Sequence, residues 1–417
     1  MNFMKTAAVI SEFNPFHAGH ALLLRKIRLS EGEDTAILCI MSGNYTQRGE
    51  AAVICKQSRA AAAIEGGADL VLELPFPYCC AGAERFAQAA VRIANAVQTD
   101  LLAFGAECED TDRLFSLAAK IEAQEFRNAY ASLCERNGIG CAAKIETVYR
   151  ALYGKEEDLS ILRQPNNLLG IEYIRAILRE NAPIKPVAFR REGAAHGTDT
   201  LPKDGICPSA EALRKILGTG DTVQWEMLRT IMPSCSADIL QKEISERKST
   251  ADNDFLMRQL LLYYQLAPVE AYLSTDGMTG GLAHRVRKFA STSADPSSFF
   301  SALRTKRYTD AYLRRALLCG FFGITRDMLN APPLYTQVLA MNDRGCRLLA
   351  SLRRKATISI LTKPAAYRHL PHDAFLQANR TLRADTLYAS LFRLPLPPSD
   401  LLRYLPYRKT DRIVTTS

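Results

Sequence analysis

One tryptophan, six histidines and no Cys-x-x-Cys pair set the first limits on this 417-residue chain. Its eleven cysteines stand singly apart from Cys79 and Cys80. An odd total without ligand spacing argues against a disulfide framework and a zinc site, and for reduced thiols in the core. No uninterrupted apolar stretch is long enough to span a bilayer. Glu12 breaks the first apolar run and no small-residue cleavage site follows, so no signal peptide is expected and the cytoplasm is the expected compartment. Internal repeats and low-complexity tracts are missing too. A hydrophobic share of 47% against 23% charged then describes an ordinary globular chain, long enough for two domains.

Glutamate is missing from the last part of the chain. Ser301 to Ser417 hold 20 Lys and Arg against 7 Asp, so the net charge of +9 comes from this end and the first 300 residues are slightly acidic. A basic module beside an acidic one is the footprint expected of a phosphate-polymer binder; a merely solvated basic face is the plainer alternative.

What is present in the first third is an alternation of short apolar runs and helical patterns. Strands are predicted at Thr6 to Ser11, Thr35 to Met41, Asp69 to Leu74 and Asp100 to Gly105, with helices at His20 to Leu29, Lys56 to Glu65 and Glu84 to Ala96. The strands lack strict alternation, as expected for a parallel α/β sheet covered on both faces. Asp112 to Tyr153 reads as helical, Pro165 opens a further helix, Ile184 to Phe189 gives a last strand, and Ser209 caps a helix ending at Leu217. Beyond about Gly220 the pattern is almost wholly helical. The expected division is therefore residues 1–220, a Rossmann-like parallel-sheet domain, and 221–417, a mostly α-helical basic domain.

Between the first strand and first helix stands Phe13-Asn14-Pro15-Phe16-His17-Ala18-Gly19-His20. Ligands of open α/β sheets bind beyond the carboxyl ends of strands, and helix starts attract phosphate. Gly19 allows close backbone approach, and His17 and His20 offer donors to phosphate oxygens, where charge grows if pyrophosphate leaves an attacked α-phosphorus. Helix capping by the two histidines is the structural alternative. After the second strand, Met41 to Glu50 places Ser42, Gly43, Asn44 and Arg48 at the same sheet edge, with Lys56 and Arg59 nearby, as candidate phosphate or carboxylate contacts. Glu73 ends the third strand as either a pocket residue or a capped charge. Gly105 either admits a nucleotide where a side chain would clash or makes a turn.

These stretches, with Gly67 to Pro75, Phe104 to Glu107, Pro165 to Tyr173, Ser209 to Arg214 and Arg304 to Thr309, make the sequence similar to the bacterial tRNA(Met) cytidine acetate ligase family of the HxGH nucleotidyltransferase superfamily. The resemblance implies that ATP and acetate form acetyl-adenylate, releasing pyrophosphate, and that acetyl passes to the wobble cytidine of elongator tRNA(Met). It implies an ATP-binding segment of Ile10, Ser11, Glu12, Phe13, Asn14, Pro15, Phe16, His17, Ala18, Gly19, His20, Ala21, Leu22 and Leu23, with His17 and His20 facing the phosphates. Gly105, Asn167 of the pair Asn166-Asn167, and Arg190-Arg191 match further nucleotide contacts. Ser209 to Arg214 occupies the place of the superfamily's phosphate helix, but reads Ser-Ala-Glu-Ala-Leu-Arg, losing a hydroxyl and adding Glu211. Gly280 to Arg285 lacks the acidic character expected there.

Acetate is already ionised at neutral pH, so it needs no catalytic base. Mg²⁺ is expected to accompany ATP, though no carboxylate cage is legible, and His284, His369 and His372 lack partners at ligand spacing. Arg304, Lys306, Arg307, Tyr308, Arg314 and Arg315, then Arg353, Arg354 and Lys355, are the candidate tRNA contacts. A coenzyme-forming adenylyltransferase and a nonenzymatic ATP-sensing RNA-binding protein are the rival readings.

Overall fold

The computed structural model describes residues 4–136, 141–191, 210–218, 223, 225–279 and 281–410. Strands β1 (Thr6–Ser11), β2 (Ala36–Ser42), β3 (Leu70–Leu74), β4 (Leu101–Ala106) and β5 (Lys185–Arg190) form the parallel part of an eight-stranded sheet in the order β5-β4-β1-β2-β3. Each lies within about two residues of its predicted span. Alternate residues of β1 feed opposite cores. Ala7 and Val9 meet Leu24 and Ile27 of helix α1 (Ala18–Glu31) and Ala60 and Ala63 of α2 (Lys56–Glu65). Ala8 and Ile10 face the cluster that holds Phe86 and Ala90 of α3 (Ala83–Ala96) and Ile171 and Ile174 of α4 (Pro165–Arg179). Burial on both faces is why β1, β2 and β4 read as unbroken apolar runs.

The chain runs outward from β1 to β2 and β3 on one side and reaches β4 and β5 on the other, so the strand order reverses beside β1. Such a reversal opens a crevice at the carboxyl strand ends, here between the loops after β1 and β4.

Downstream, helices dominate: α5 (Ala210–Leu217), α6 (Asn253–Leu266), α7 (Asp310–Phe322), α8 (Asp343–Lys355) and α9 (His372–Ala389) are among them. Side-chain caps mark several starts. Asp252 accepts from Asp254 and Phe255 N–H at 2.9 Å each, and Thr309 accepts from Tyr312 N–H. The reading of the second half as almost wholly helical requires a correction, because β6 (Tyr335–Met341), β7 (Ser359–Leu361) and β8 (Tyr407–Arg408) extend the sheet. β6 runs antiparallel to β3, pairing Leu70 with Met341 and Val71 with Ala340, and so covers the edge that β3 would expose. Cys39, Cys79, Cys80 and Cys319 are buried free thiols. No described helix is long and apolar enough to cross a membrane.

Candidate active site

His17 is the N-cap of α1, with extended backbone angles of φ −135° and ψ 175°. Its Nδ1 accepts from Gly19 N–H at 3.1 Å, while His20 Nδ1 accepts from His17 N–H at 3.2 Å, a reciprocal capping box made of two imidazoles. The rings stack with centroids 3.7 Å apart. An amide N–H can only donate, so both Nδ1 atoms must be acceptors. In the neutral ring the proton then sits on Nε2, and each histidine keeps one Nε2–H donor. Capping and phosphate donation are therefore compatible: one nitrogen holds the helix and the other is reserved.

Burial pushes the His17 imidazole down to about 3, helped by the positive charges of Arg191 and Arg214. His20 is lowered by burial and by the neighbouring His17 and Arg191. Both rings are thus neutral donors across the physiological range. Nitrogen-15 NMR of the free protein between pH 5.5 and 8 is expected to show the Nε2–H tautomer of His17 with no titration. A midpoint near pH 6.5 would contradict the geometry.

The loop before the histidines is held from several sides. Asn14 Oδ1 accepts from Val53 N–H at 2.9 Å, its carbonyl accepts from Arg214 of α5 at 3.0 Å, and the Phe16 carbonyl accepts from Ser236 Oγ at 2.7 Å. Phe13 adopts φ +48°, a left-handed conformation uncommon for an aromatic residue. Ser11 Oγ is buried with no hydrogen-bond partner among the described residues.

Across the crevice, a side chain on Gly105 of β4 would meet Arg191 Cγ at 3.0 Å, so the arginine stem lies over the glycine. Arg191 Nη1 donates to Asn166 Oδ1 at 2.8 Å, and Glu107 accepts from Asn166 Nδ2 at 2.6 Å and from Asn167 N–H at 2.9 Å. The paired candidates thus separate. Asn167 is fully buried, its Nδ2 donating to Ile161 O and Gln164 Oε1 and its Oδ1 accepting from Cys108 N–H. Asn166 joins Arg191, whose charge reaches both histidines, whereas the Arg190 carbonyl is tied to Lys26. The sheet edge therefore gathers His17, His20, Gly105, Asn166 and Arg191. Sequence reasoning missed Glu107 as the group that orients both asparagines, although Phe104 to Glu107 was among the stretches it singled out.

A model described as HIGH Nucleotidyl Transferase matches residues 4–398. A tRNA(Met) cytidine acetate ligase of Caldicellulosiruptor saccharolyticus is 32% identical over 413 residues, covering 97% of this chain and 96% of the relative. The chain belongs to the tRNA(Met) cytidine acetate ligase family. A family member from Syntrophotalea carbinolica is 33% identical over 366 residues, 86% of this chain and 85% of its own. The crystal structure of Thermotoga maritima TmcAL bound with alpha-thio ATP superposes with a TM-score of 0.88 at 26% identity, covering 98% of this chain and 100% of that one.

The first turn of α2, after the polar loop that follows β2, turns its charge inward in this family member. Arg59 is fully buried and donates to the carbonyls of Ile54, Glu12, Ser42 and Gly43, tying the ends of β1 and β2 together. Lys56 Nζ lies 2.7 Å from Glu73 Oε1 and 2.6 Å from Asp385 Oδ2, and Asn44 bridges Lys56 N–H to Asp385. Ser42 and Gly43 are buried at the strand end, the glycine against Glu73. Among the sequence-picked residues of this loop, Arg48 is half-buried 3.8 Å from Glu211, and with Arg214 it lines a separate cleft. Ser209 lies outside the described residues.

Gly49 sits at φ +78°, where a Cβ would strike Arg314 Cβ and Arg315 N at 2.8 Å, so only glycine lets the loop press against α7. Arg314 pairs with Glu50 at 2.8 Å and Arg315 donates to Gln47 O at 2.9 Å, so this pair of candidate tRNA contacts clamps the loop. Arg304, Lys306, Arg307 and Tyr308 are grouped just before α7. Arg307 lies over the Tyr308 ring, which stacks on Tyr312 at 5.2 Å. Arg353, Arg354 and Lys355 end α8, on a separate element packed against β2 and β3 through Leu348, Leu349 and Leu352. Among the described residues no three His, Cys, Asp or Glu are grouped to hold a metal ion.

Proposed function

We propose that this chain is a tRNA(Met) cytidine acetate ligase that works in the cytoplasm on elongator tRNA(Met), taking acetate as acyl donor. The observation that carries the reading is the single sheet edge at which two neutral histidine donors face Gly105, Asn166 and Arg191 across the strand-order reversal. An acetate oxygen attacks the α-phosphorus of ATP, the bond to the bridging oxygen breaks, and pyrophosphate leaves. His17 and His20 donate through Nε2–H to the phosphate oxygens on which charge accumulates, supplying electrostatic stabilisation without a covalent role. Arg191 and Gly105 give the nucleotide a cationic group beside an open backbone surface. Arg214 holds the histidine loop through the Asn14 carbonyl and adds its positive charge beside His17. Mg²⁺ enters on the triphosphate as part of the substrate, since phosphate oxygens and water suffice for its octahedral shell.

In the second half-reaction the exocyclic amine of the wobble cytidine attacks the acyl carbon, AMP leaves, and the amine loses one proton. The division of labour follows the charge: residues 1–220 carry the adenylating chemistry, while 221–417 supply the basic RNA surface and return through β6 to brace the sheet. Arg304, Lys306 and Arg307 are exposed beside the half-buried Tyr308 ring and offer the tRNA a cation next to a stackable face, and Arg353, Arg354 and Lys355 add a second exposed basic group. The test is mass spectrometry of tRNA nucleosides after incubating the purified protein with bulk unmodified tRNA, ATP, Mg²⁺ and isotope-labelled acetate. Labelled acetylcytidine is the expected product. Pyrophosphate release without it would redirect the second step to another acceptor, and no acetate-dependent release would overturn the reading.

A further inference from the structure

A cleft of about 660 Å³ lies beside the histidine loop, within the size range of small-ligand sites. Its walls come from distant parts of the chain: the loop at Arg48 to Val53, helix α5, the start of α6, and Ser390 to Arg393. They are stitched together, not merely adjacent. Ala51 N–H donates to Asn253 Oδ1 at 2.8 Å and Asn253 Nδ2 returns to Ala51 O, Ala251 N–H donates to Val53 O at 3.0 Å, and Asp252 N–H donates to Leu391 O at 2.8 Å. Two wall residues, Val53 and Arg214, both hydrogen-bond Asn14, three positions before His17, and the charge of Arg214 acts on His17 itself. The cleft therefore opens next to the place where an adenylate would form.

Four basic and four acidic side chains line it, so it carries no excess charge. That balance is wrong for a free triphosphate, which needs a cationic cradle, and suits a neutral base with one flanking phosphate. Of the acids, Asp252 is occupied in capping α6, Glu50 pairs with Arg314 and Glu211 with Arg48, which leaves Asp254 as the hydrogen-bond acceptor. A carboxylate is the group that accepts from the exocyclic amine of cytosine. Phe255, 37% exposed at the start of α6, offers a ring, and Arg393 is an exposed cation on the segment that Asp252 N–H ties to α6. Single-stranded bases are taken by such stacking surfaces.

Resting on the proposed ligase activity, we infer that this cleft receives one splayed-out pyrimidine nucleotide of the tRNA, its base stacked on Phe255 and its phosphate met by Arg393. The experiment separates the two half-reactions in the full chain. In Phe255→Leu and Arg393→Ala, single-turnover acetyl transfer to tRNA should fall at least about tenfold. Acetate-dependent ATP–pyrophosphate exchange and thermal unfolding should stay close to wild type, and Phe255→Trp should restore transfer. Parallel loss of exchange and transfer would make the cleft part of the ATP site and overturn the inference, as would unchanged transfer. Calorimetric titration with cytidine 5′-monophosphate gives a readout independent of activity. Binding weakened by Phe255→Leu supports the site even if wild-type exchange fails, which would sink the ligase reading alone. Binding that the substitution leaves untouched overturns the site.

Discussion

Replacing either His17 or His20 with alanine is expected to lower acetate-dependent ATP–pyrophosphate exchange about 10²-fold or more, the cost typical of removing one preorganised donor from a developing oxyanion. The capping box complicates a simple substitution, because His17 Nδ1 also satisfies Gly19 N–H at the start of α1. His17→Ala should therefore also lower stability by about 0.5–2 kcal/mol, the usual cost of losing an N-cap. Asparagine caps helices well but has no group at the position of Nε2. His17→Asn should then recover most of the stability in a urea titration while leaving exchange depressed. If exchange recovers with stability, the histidine acts only through the helix and the donor role is lost. If exchange in the alanine variants stays within threefold of wild type, neither histidine touches the reacting phosphate.

The part of this design that was legible in the sequence is the part built from neighbours. β1 to β4 announce themselves as apolar runs because each is buried on both faces, and the histidine motif is legible because its strand, loop and helix are contiguous. What escaped depends on groups far apart in the chain. Tyr335 to Met341 forms β6 only because β3, more than 260 residues earlier, offers its edge; Pro332 and Pro333 followed by Leu-Tyr-Thr-Gln-Val are the available signal amid helical patterns. Arg59 and Lys56 look like ligand contacts because cations in the first turn of a helix that follows a polar loop at a parallel strand's carboxyl end usually are. No local pattern revealed that strand-end carbonyls would absorb the first and Asp385 the second. Glu73, which the sequence leaves open as a pocket residue or a capped charge, sits in a buried ion pair with Lys56. The division between Asn166 and Asn167 likewise turns on Glu107, 59 and 60 residues away.

Lys56→Met is expected to destabilise the protein by about 3–5 kcal/mol, because it leaves two buried carboxylates without their shared cation. Lys56 is 3% exposed and Glu73 fully buried, so water cannot replace the ammonium group. The loss would also loosen α9 from the sheet, since Asp385 reaches Lys56 across 329 residues of sequence. Asn44 keeps one hydrogen bond to Asp385, which neutralises nothing. Adding Glu73→Gln and Asp385→Asn to Lys56→Met should recover much of the loss in a urea titration, since the penalty lies in stranded charge and not in the missing contacts. Even intact, the cluster holds one cation for two acids. Burial raises the Glu73 carboxyl to about 7, with Lys56 opposing the rise and Asp385 adding to it. A carboxyl whose folded value lies above its unfolded one binds more protons in the native state. Its contribution is thus complete below about pH 4.5 and is lost as pH rises through about 7. Glu73→Gln should flatten wild-type stability across that window. A stability profile with the same slope in both proteins, together with a Lys56→Met cost under about 1 kcal/mol, would mean that the charges are solvated and that α9 is held by apolar packing alone.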